Sequence, residues 1–330
     1  MSEKVLITGS NGFLGSYIVE EALKLNLNVF AGVRKTSNLQ YLKDPRINFF
    51  YYSFEKEDNL REQLRSHHFD YIVLNAGITV ANKRETYFKI NSGYTRKICK
   101  ILIEENIIPK KLIFISSLAS YGPADYQPSQ VLTNDAAPHP TTWYGESKLQ
   151  AEQFIQSYKQ IPSIIFRPTA VYGPRDTAML EVYKTIKRGL EPKIGLGDQD
   201  QTFIYVKDLA RLIAQAMKSD VINKSYFVGD GQIYPSDELN SLIKAKLGVK
   251  TLKITIPIPV MKIIAGISEG IGRMQGKVPL LNRNKVKEYF ARSFAIDTSD
   301  LKNDFNFAAD FDLKSGLEET LEWCIKTKIL

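Results

Sequence analysis

Tyr144 and Lys148 stand four residues apart in the stretch TTWYGESKLQ, residues 141–150. The stretch reads as a helix start, and on a helix the i,i+4 spacing stacks both side chains on one side, phenol beside ammonium. A surface Tyr-Lys pair is the ordinary reading. The alternative is an acid–base tyrosine tuned by a cation. A free phenol, with a pKa of about 10, holds its proton too tightly to act as a base near neutrality. An ammonium roughly 4 Å away, at an effective dielectric near 20, favours the phenolate by about 4 kcal/mol, or ~3 pKa units. Such a pair suits hydride chemistry at an alcohol or carbonyl carbon, where a proton must leave or reach the oxygen. Upstream, ISSLASYG carries Ser116 and Ser117 directly after an apolar run. Serines there are usually turn-formers. At the carboxyl edge of a parallel sheet they also stand where open α/β sheets place ligands.

A second cluster lies at the N-terminus. TGSNGFLG sets Gly9, Gly12 and Gly15 after the first apolar run and at the opening of a helical pattern, with Asn11, Phe13 and Leu14 between them. Glycines at this spacing let the backbone turn tightly, approach a pyrophosphate, and aim helix N–H groups at it. A glycine triplet can be purely architectural; its place after the first strand of an alternating pattern favours the nucleotide reading. After the second apolar run the sequence is AGVRKTSN. A carboxylate that would hold a ribose 2′-hydroxyl is missing, and Arg34, Lys35 and Ser37 stand there instead. That favours a 2′-phosphate, hence NADP over NAD, against the plainer reading of a charged loop.

The elements that must position these residues follow from periodicity. Apolar runs at 4–8, 28–33, 47–52, 71–75, 111–116 and 163–167 read as strands, with amphipathic helical segments between most of them. Strand–helix alternation predicts an α/β fold with a doubly wound, mostly parallel sheet covered on both faces. Near residue 175 the rhythm changes to a helix over 177–190, late strands FIYV and SYFV, and a mainly helical last hundred residues. The expected organisation is a nucleotide-binding domain over 1–175, rejoined by 202–232. A smaller, helix-rich substrate lobe takes 176–201 and 233–330.

Composition excludes several classes. Two cysteines, Cys99 and Cys324, without a partner motif fit a reducing compartment and give no disulfide scaffold. The three histidines, His67, His68 and His139, lack ligand spacing, so no metal site is expected. The net charge of +8 comes without a basic run interleaved with aromatics, so nucleic acid is not an expected partner. The chain begins a strand directly, without a basic-then-apolar leader, and a cytoplasmic location is expected. The longest apolar stretch, 254–272, is broken by two prolines, a lysine and a glutamate, and is too interrupted to span a bilayer. It reads as an amphipathic cover over a pocket or as a membrane-surface contact. The Pro-containing stretch 121–140, between Ser117 and Tyr144, is long enough to border a substrate.

Taken in order, TGSNGFLG, LNAGIT, ISSLASYG, YGESK, FRPTAVYGPR, FIYVKDLA and LKNDFNF…LKSGLEETLEW resemble the extended short-chain dehydrogenase/reductase family, also called the NAD-dependent epimerase/dehydratase superfamily, over nearly the whole chain. The resemblance implies a Rossmann fold and a catalytic set of Ser117, Tyr144 and Lys148. Ser117 lies four residues before the tyrosine of SYG, as the family's serine does, and Ser116 is a helper. Asn91 matches an asparagine that supports the lysine. Ala76, Gly77, Pro168 and Val171 would line the cofactor, as would Ser116, Tyr144 and Lys148. Ser53 stands where many relatives carry an aspartate reading the adenine. A homodimer through two sheet-flanking helices is a further family expectation.

Within that family, nucleotide-sugar epimerases and dehydratases commonly carry an arginine where this chain has Gln201, and an Arg-Gly-Asp-like segment where it has ARSFAIDTS. The dehydratases' Asp-Glu pair is replaced around Leu118 and Ala119. A diphosphate without those cations would be poorly held. The segment 254–281, with Met261, Ile263, Ile264, Ile267 and Leu280, suits an apolar substrate or ordinary helix packing. The VRKTSN loop and LNRNKVKEYFARSFAIDTS are closer to the dihydroflavonol-reductase and 3β-hydroxysteroid-dehydrogenase-like branch. The expectation is a reductase or dehydrogenase for a hydrophobic alcohol or carbonyl compound. The alternatives are a sugar-nucleotide epimerase or dehydratase and, last, a non-catalytic dinucleotide sensor, which would typically lose Tyr144 or Lys148.

Overall fold

The computed structural model describes residues 2–127, 129–194, 199–274 and 285–330. The first half of the chain alternates strands and helices: β1 (Lys4–Thr8), α1 (Phe13–Lys24), β2 (Asn28–Val33), β3 (Asn48–Tyr51), α2 (Glu57–His67), β4 (Tyr71–Leu74), α3 (Arg84–Tyr87), α4 (Tyr94–Glu104), β5 (Lys111–Ile115), α5 (Trp143–Ser157) and β6 (Ser163–Pro168). Then follow β7 (Ala170–Tyr172), α6 (Leu180–Lys187), β8 (Leu190–Ile194), β9 (Asp200–Gln201), β10 (Phe203–Tyr205), α7 (Val206–Lys218) and β11 (Lys224–Val228). The chain finishes with β12 (Tyr234–Pro235), α8 (Glu238–Leu247), β13 (Leu252–Ile256), α9 (Ile258–Met274), α10 (Ser299–Phe305) and α11 (Leu313–Lys326).

Seven parallel strands form one sheet in the order β11-β6-β5-β4-β1-β2-β3. The central strands β1, β4, β5 and β6 are short and apolar because their side chains alternate between two buried faces, whereas the edge strand β3 buries only Phe50. Val5, Ile7, Ile113 and Ile115 enter the core shared with α1 and α7. Leu6, Leu112 and Phe114 enter the opposite core with residues of α2, α4 and α5. Strand order reverses between β1 and β4, which opens a crevice beyond their carboxyl ends. The segments after β1, β4 and β5 converge there.

Of the two late strands, SYFV joins the main sheet as β11, whereas FIYV pairs only with β7. Pro168 ends β6 opposite Val228, and the chain resumes two residues on as β7, which takes FIYV as its partner. A third core, of Tyr172, Tyr183, Phe203, Tyr205, Tyr234, Leu313, Leu317 and Leu321, fills the space under α6, α8 and α11. The helix expected over 177–190 starts at Leu180, because the Asp176 carboxylate takes the Ala178 N–H at 2.7 Å and holds a turn before it. Leu280 and the opening 281–284 of the LNRNK stretch lie outside the described residues.

Candidate active site

Helix α5 sets the geometry. The Thr142 hydroxyl accepts the Gly145 N–H at 3.2 Å and caps the helix start, which explains the threonine before Trp-Tyr-Gly. From that cap, Tyr144, Lys148 and Glu152 follow at i, i+4 and i+8 along one side. Gly145 lets this helix sit against the turn after β5, since a Cβ there would come within 2.0 Å of the Ala119 carbonyl oxygen. The approach brings Ser117 and Tyr144 into a side-chain hydrogen bond.

The two serines after β5 divide their work. Ser117 is half-exposed, and its hydroxyl also accepts the Ala119 N–H at 3.2 Å. Ser116 is buried, with its hydroxyl given to the Glu152 carboxylate. The same carboxylate oxygen takes the Ser120 hydroxyl at 2.7 Å, and the other takes Arg167 Nε and Nη2 at 2.9 and 2.8 Å. Glu152 and Arg167 are almost fully buried, so the pair is a fixed strut behind the turn that presents Ser117. Sequence reasoning did not single out this strut. Its one local signal is Glu152 four residues beyond Lys148.

Lys148 is buried. Its ammonium donates to the Ile115 carbonyl at 2.5 Å and lies 4.4 Å from the centre of the Phe114 ring. Loss of water lowers its pKa to about 8, with the Glu152 charge working the other way. Tyr144 behaves differently from the sequence expectation. Enclosure raises its pKa to about 12, against the pull of the Ser117 hydrogen bond, and both the Glu288 charge and Tyr87 push further upward. The i,i+4 spacing shares a face between phenol and ammonium, but the same burial desolvates both. Desolvation sets both shifts, and the lysine is not among the groups that pull the phenol down.

Asn91 lies in a π-helical turn, Phe88–Gly93, that feeds α4. Its carbonyl oxygen takes the Ile78 N–H at 2.9 Å, and its amide donates to the Ile78 carbonyl and the Ser147 hydroxyl, both at 3.0 Å. It therefore ties the loop after β4 to α5. A Cβ on Gly77 would stand 3.1 Å from the Asn91 oxygen and 3.8 Å from the Lys148 ammonium, so Gly77 is at the centre of the site. Ala76 is held from the other side, where Thr8 Oγ1 accepts the N–H groups of Asn75 and Ala76 at 3.0 and 3.1 Å.

The glycine loop fits a dinucleotide. A Cβ on Gly15 would fall 2.1 Å from the Gly9 carbonyl oxygen, so only glycine allows α1 to start so close to β1. Gly12 precedes α1 without a side-chain cap, and the first turn, Phe13 to Gly15, holds no acidic residue. The N–H groups there are left for an anion. At the other end of the crevice, Arg34 and Lys35 are exposed, and Ser37 closes their turn by accepting the Arg34 N–H at 3.1 Å. Ser53 shapes a turn as well, accepting the Glu55 N–H at 3.3 Å. Sequence reasoning missed Tyr52, whose hydroxyl bonds the Gly9 backbone, and the Phe54–Tyr94 stack at 4.0 Å. Pro168 ends β6, and Val171, half-buried, packs against the α1-side core.

The 121–140 segment is bound down. Asp125 accepts the N–H groups of Arg292 and Ser293, and Leu132 bonds both Ala295 and Asp297. The histidines are structural: His67 packs among Phe30, Phe50 and Phe69, and His139 lies on Tyr126. Among the described residues no cluster of His, Cys, Asp and Glu is placed to hold a metal.

Residues 5–229 match the model of the NAD dependent epimerase/dehydratase family. The chain belongs to that family. It is an NAD(P)-dependent enzyme of the extended short-chain dehydrogenase/reductase type. Among curated relatives, an N-acetyl-alpha-D-glucosaminyl-diphospho-ditrans,octacis-undecaprenol 4-epimerase of Escherichia coli O157:H7 is 25% identical, over 98% of this chain and 96% of its own. The decarboxylating sterol-4-alpha-carboxylate 3-dehydrogenase of Candida albicans is 22% identical over 97% of each chain. Among solved structures, UDP-glucose 4-epimerase from Thermotoga maritima with UDP-glucose superposes with a TM-score of 0.78 at 20% identity, over 98% of this chain and 99% of its own. UDP-glucuronic acid 4-epimerase from Bacillus cereus, in complex with UDP-glucuronic acid and NAD, gives 0.78 at 22%, with the same coverage. At these identities the structural likeness is one of fold.

Proposed function

We propose that the enzyme transfers a hydride between NAD(P) and a hydrophobic alcohol or carbonyl compound, with NADP preferred. In this reading residues 1–175 and 202–232 hold the cofactor, and 176–201 with 233–330 shape the substrate side. The observation that carries the substrate class is the small apolar contact on the inward side of helix α9. The helix packs on the turn Lys285–Phe290 through Met261, Ala265 and Val286, and Glu288 of that turn acts on the Tyr144 phenol. The relative acting on a sterol carboxylate fits this reading.

NAD(P), when bound, supplies or accepts the hydride. Ser117 donates a hydrogen bond to the substrate oxygen and stabilises charge developing on it. In the reducing direction the Tyr144 hydroxyl gives that oxygen its proton. A phenol at about 12 is protonated throughout the neutral range, so the resting site is ready as an acid. Lys148 holds the nicotinamide ribose and supports the phenolate left behind, while Asn91 keeps the Gly77 loop and α5 in register. The absence of a carboxylate beyond β2 and the exposed Arg34 and Lys35 support NADP.

One finding favours a second reading, a sugar-diphosphate epimerase. Sequence comparison left Gln201 in place of an arginine, yet the Arg292 carbonyl accepts the Asp200 N–H at 2.8 Å. The exposed Arg292 is thus beside the position that lacked a cation, where a diphosphate would want one. The relatives named as 4-epimerases fit it too.

The two are separated by following nicotinamide absorbance with purified enzyme, NADPH or NADH, and pooled hydrophobic ketones and aldehydes, beside an isomerisation assay on UDP-sugars. Many turnovers with NADPH preferred support the first reading. Sugar isomerisation on retained NAD with no net absorbance change, lost in Arg292→Ala, overturns it in favour of the second.

A further inference from the structure

Helix α9 is turned the opposite way from an ordinary surface helix. Val260, Ile263, Ile264 and Ile267 fall at i, i+3, i+4 and i+7 and form one stripe, and that stripe faces outward. Ile263 is 63% exposed and Ile267 58%. The inward side is narrow, with Met261 and Ala265 set on Val286 and Ile256. Ile256, packed under the helix, leads back to a second exposed apolar face. It shares a pleat face with Ile254 and Leu252 of β13, an edge strand paired only with β8, and both of those side chains are exposed. An apolar surface of this extent on helix and strand together marks a contact with something else.

Charge identifies the partner. The sequence from 250 to 290 carries eight lysines and arginines and two acidic residues, Glu269 and Glu288. Lys250, Lys253, Lys262 and Lys287 are exposed around the apolar residues. A two-fold contact with a second copy would set this basic patch against itself. A surface with negative head groups over an apolar interior matches both features. The helix has 17 residues with Lys262 and Glu269 within it, and no helix among the described residues is long and apolar enough to cross a membrane. It fits a position in the plane of the interface.

We propose that α9 and the exposed face of β13 dock the enzyme on an anionic phospholipid surface. Ile263, Ile264 and Ile267 enter the acyl boundary, and the exposed Lys250 and Lys287 meet the head groups. This face adjoins the turn that carries Glu288, so docking puts the substrate side of the site toward the bilayer. The inference rests on the surface alone and holds for either substrate class.

The full chain tests it by co-sedimentation with vesicles of phosphatidylcholine, with and without phosphatidylglycerol. Binding is expected only to the anionic vesicles, weakening with salt, and falling roughly tenfold or more in Ile263→Glu/Ile267→Glu. A polarity-sensitive fluorophore on Ile263→Cys gives a second readout; Cys99 and Cys324 are buried and stay unlabelled. Its emission is expected to shift to the blue when anionic vesicles are added. Binding unchanged by the double glutamate variant overturns the proposal. So does emission already blue-shifted in buffer and indifferent to vesicles. Self-association that the glutamates abolish, without vesicle binding, assigns the face to a second copy instead.

Discussion

Gly145 and the Ala119 carbonyl are in such close contact that no side chain fits between them; a Cβ would come within 2.0 Å of the oxygen. That contact docks α5 onto the turn carrying Ser117 and makes the Ser117–Tyr144 hydrogen bond possible. Gly145→Ala is therefore expected to fold with a loss of about 1–3 kcal/mol. Turnover should drop roughly 10²-fold, because Ser117 and Tyr144 separate; cofactor binding should weaken far less, through the shift of Lys148 alone, since the glycine loop is untouched. Chemical denaturation, steady-state kinetics and cofactor titration check it; unaltered turnover in a folded variant sinks the argument.

Removing the phenolic proton alone is a cleaner blow. Tyr144→Phe is expected to lower kcat by roughly 10²–10⁴ with little change in nicotinamide binding. A variant that keeps wild-type turnover on any substrate of the enzyme would show that another group moves the proton.

Lys148 gives a pH signature. Its folded pKa is about 8, against an ordinary 10.5, so between these values the unfolded chain holds a proton that the folded chain does not. Stability contributed through this group therefore rises with pH across that window, by about 3 kcal/mol in all. Urea denaturation from pH 7 to 10.5 should show wild type gaining on Lys148→Met. Parallel curves would mean that the ammonium is not desolvated as described.

The loop beyond β2 makes a cofactor prediction. Arg34→Glu is expected to weaken NADPH binding roughly 10–100-fold and to leave NADH nearly unchanged. Equal effects on both cofactors would reduce Arg34 to a charged loop residue.

Glu152→Gln should cost about 3–5 kcal/mol, since it leaves the Arg167 guanidinium buried without its counter-charge. It should also loosen Ser116 and Ser120, and with them the turn bearing Ser117. Thermal unfolding measures the first effect and kcat the second.

What the sequence made legible was local. Short continuous apolar runs place the seven sheet strands within a residue or two, and the i,i+4 spacing of Tyr144 and Lys148 puts them on one helix face. The choice of Ser117 over Ser116 came from motif register alone; the burial of Ser116 against Glu152 was not legible in it. The pKa of Tyr144 was not legible, because desolvation depends on everything packed around the phenol rather than on the lysine one turn away. Nor was Arg292 beside Asp200, a contact across 92 residues that no periodicity encodes. Asp125 on the 292–293 backbone and the Tyr52 hydroxyl on Gly9 are of the same long-range kind.

Tyr144, Lys148 and Glu152 ride on a single rod. Their mutual spacing is inherited from the pitch of one helix, so a loop rearrangement can change what surrounds one of them but not the distances between them. A slide or tilt of α5 would move Tyr144, Lys148 and Glu152 in step. Grafting that fifteen-residue rod onto a related scaffold should carry the spacing of the three side chains across as one cassette, whereas the packing that desolvates Tyr144 and Lys148, Ser117 included, must already be waiting in the host.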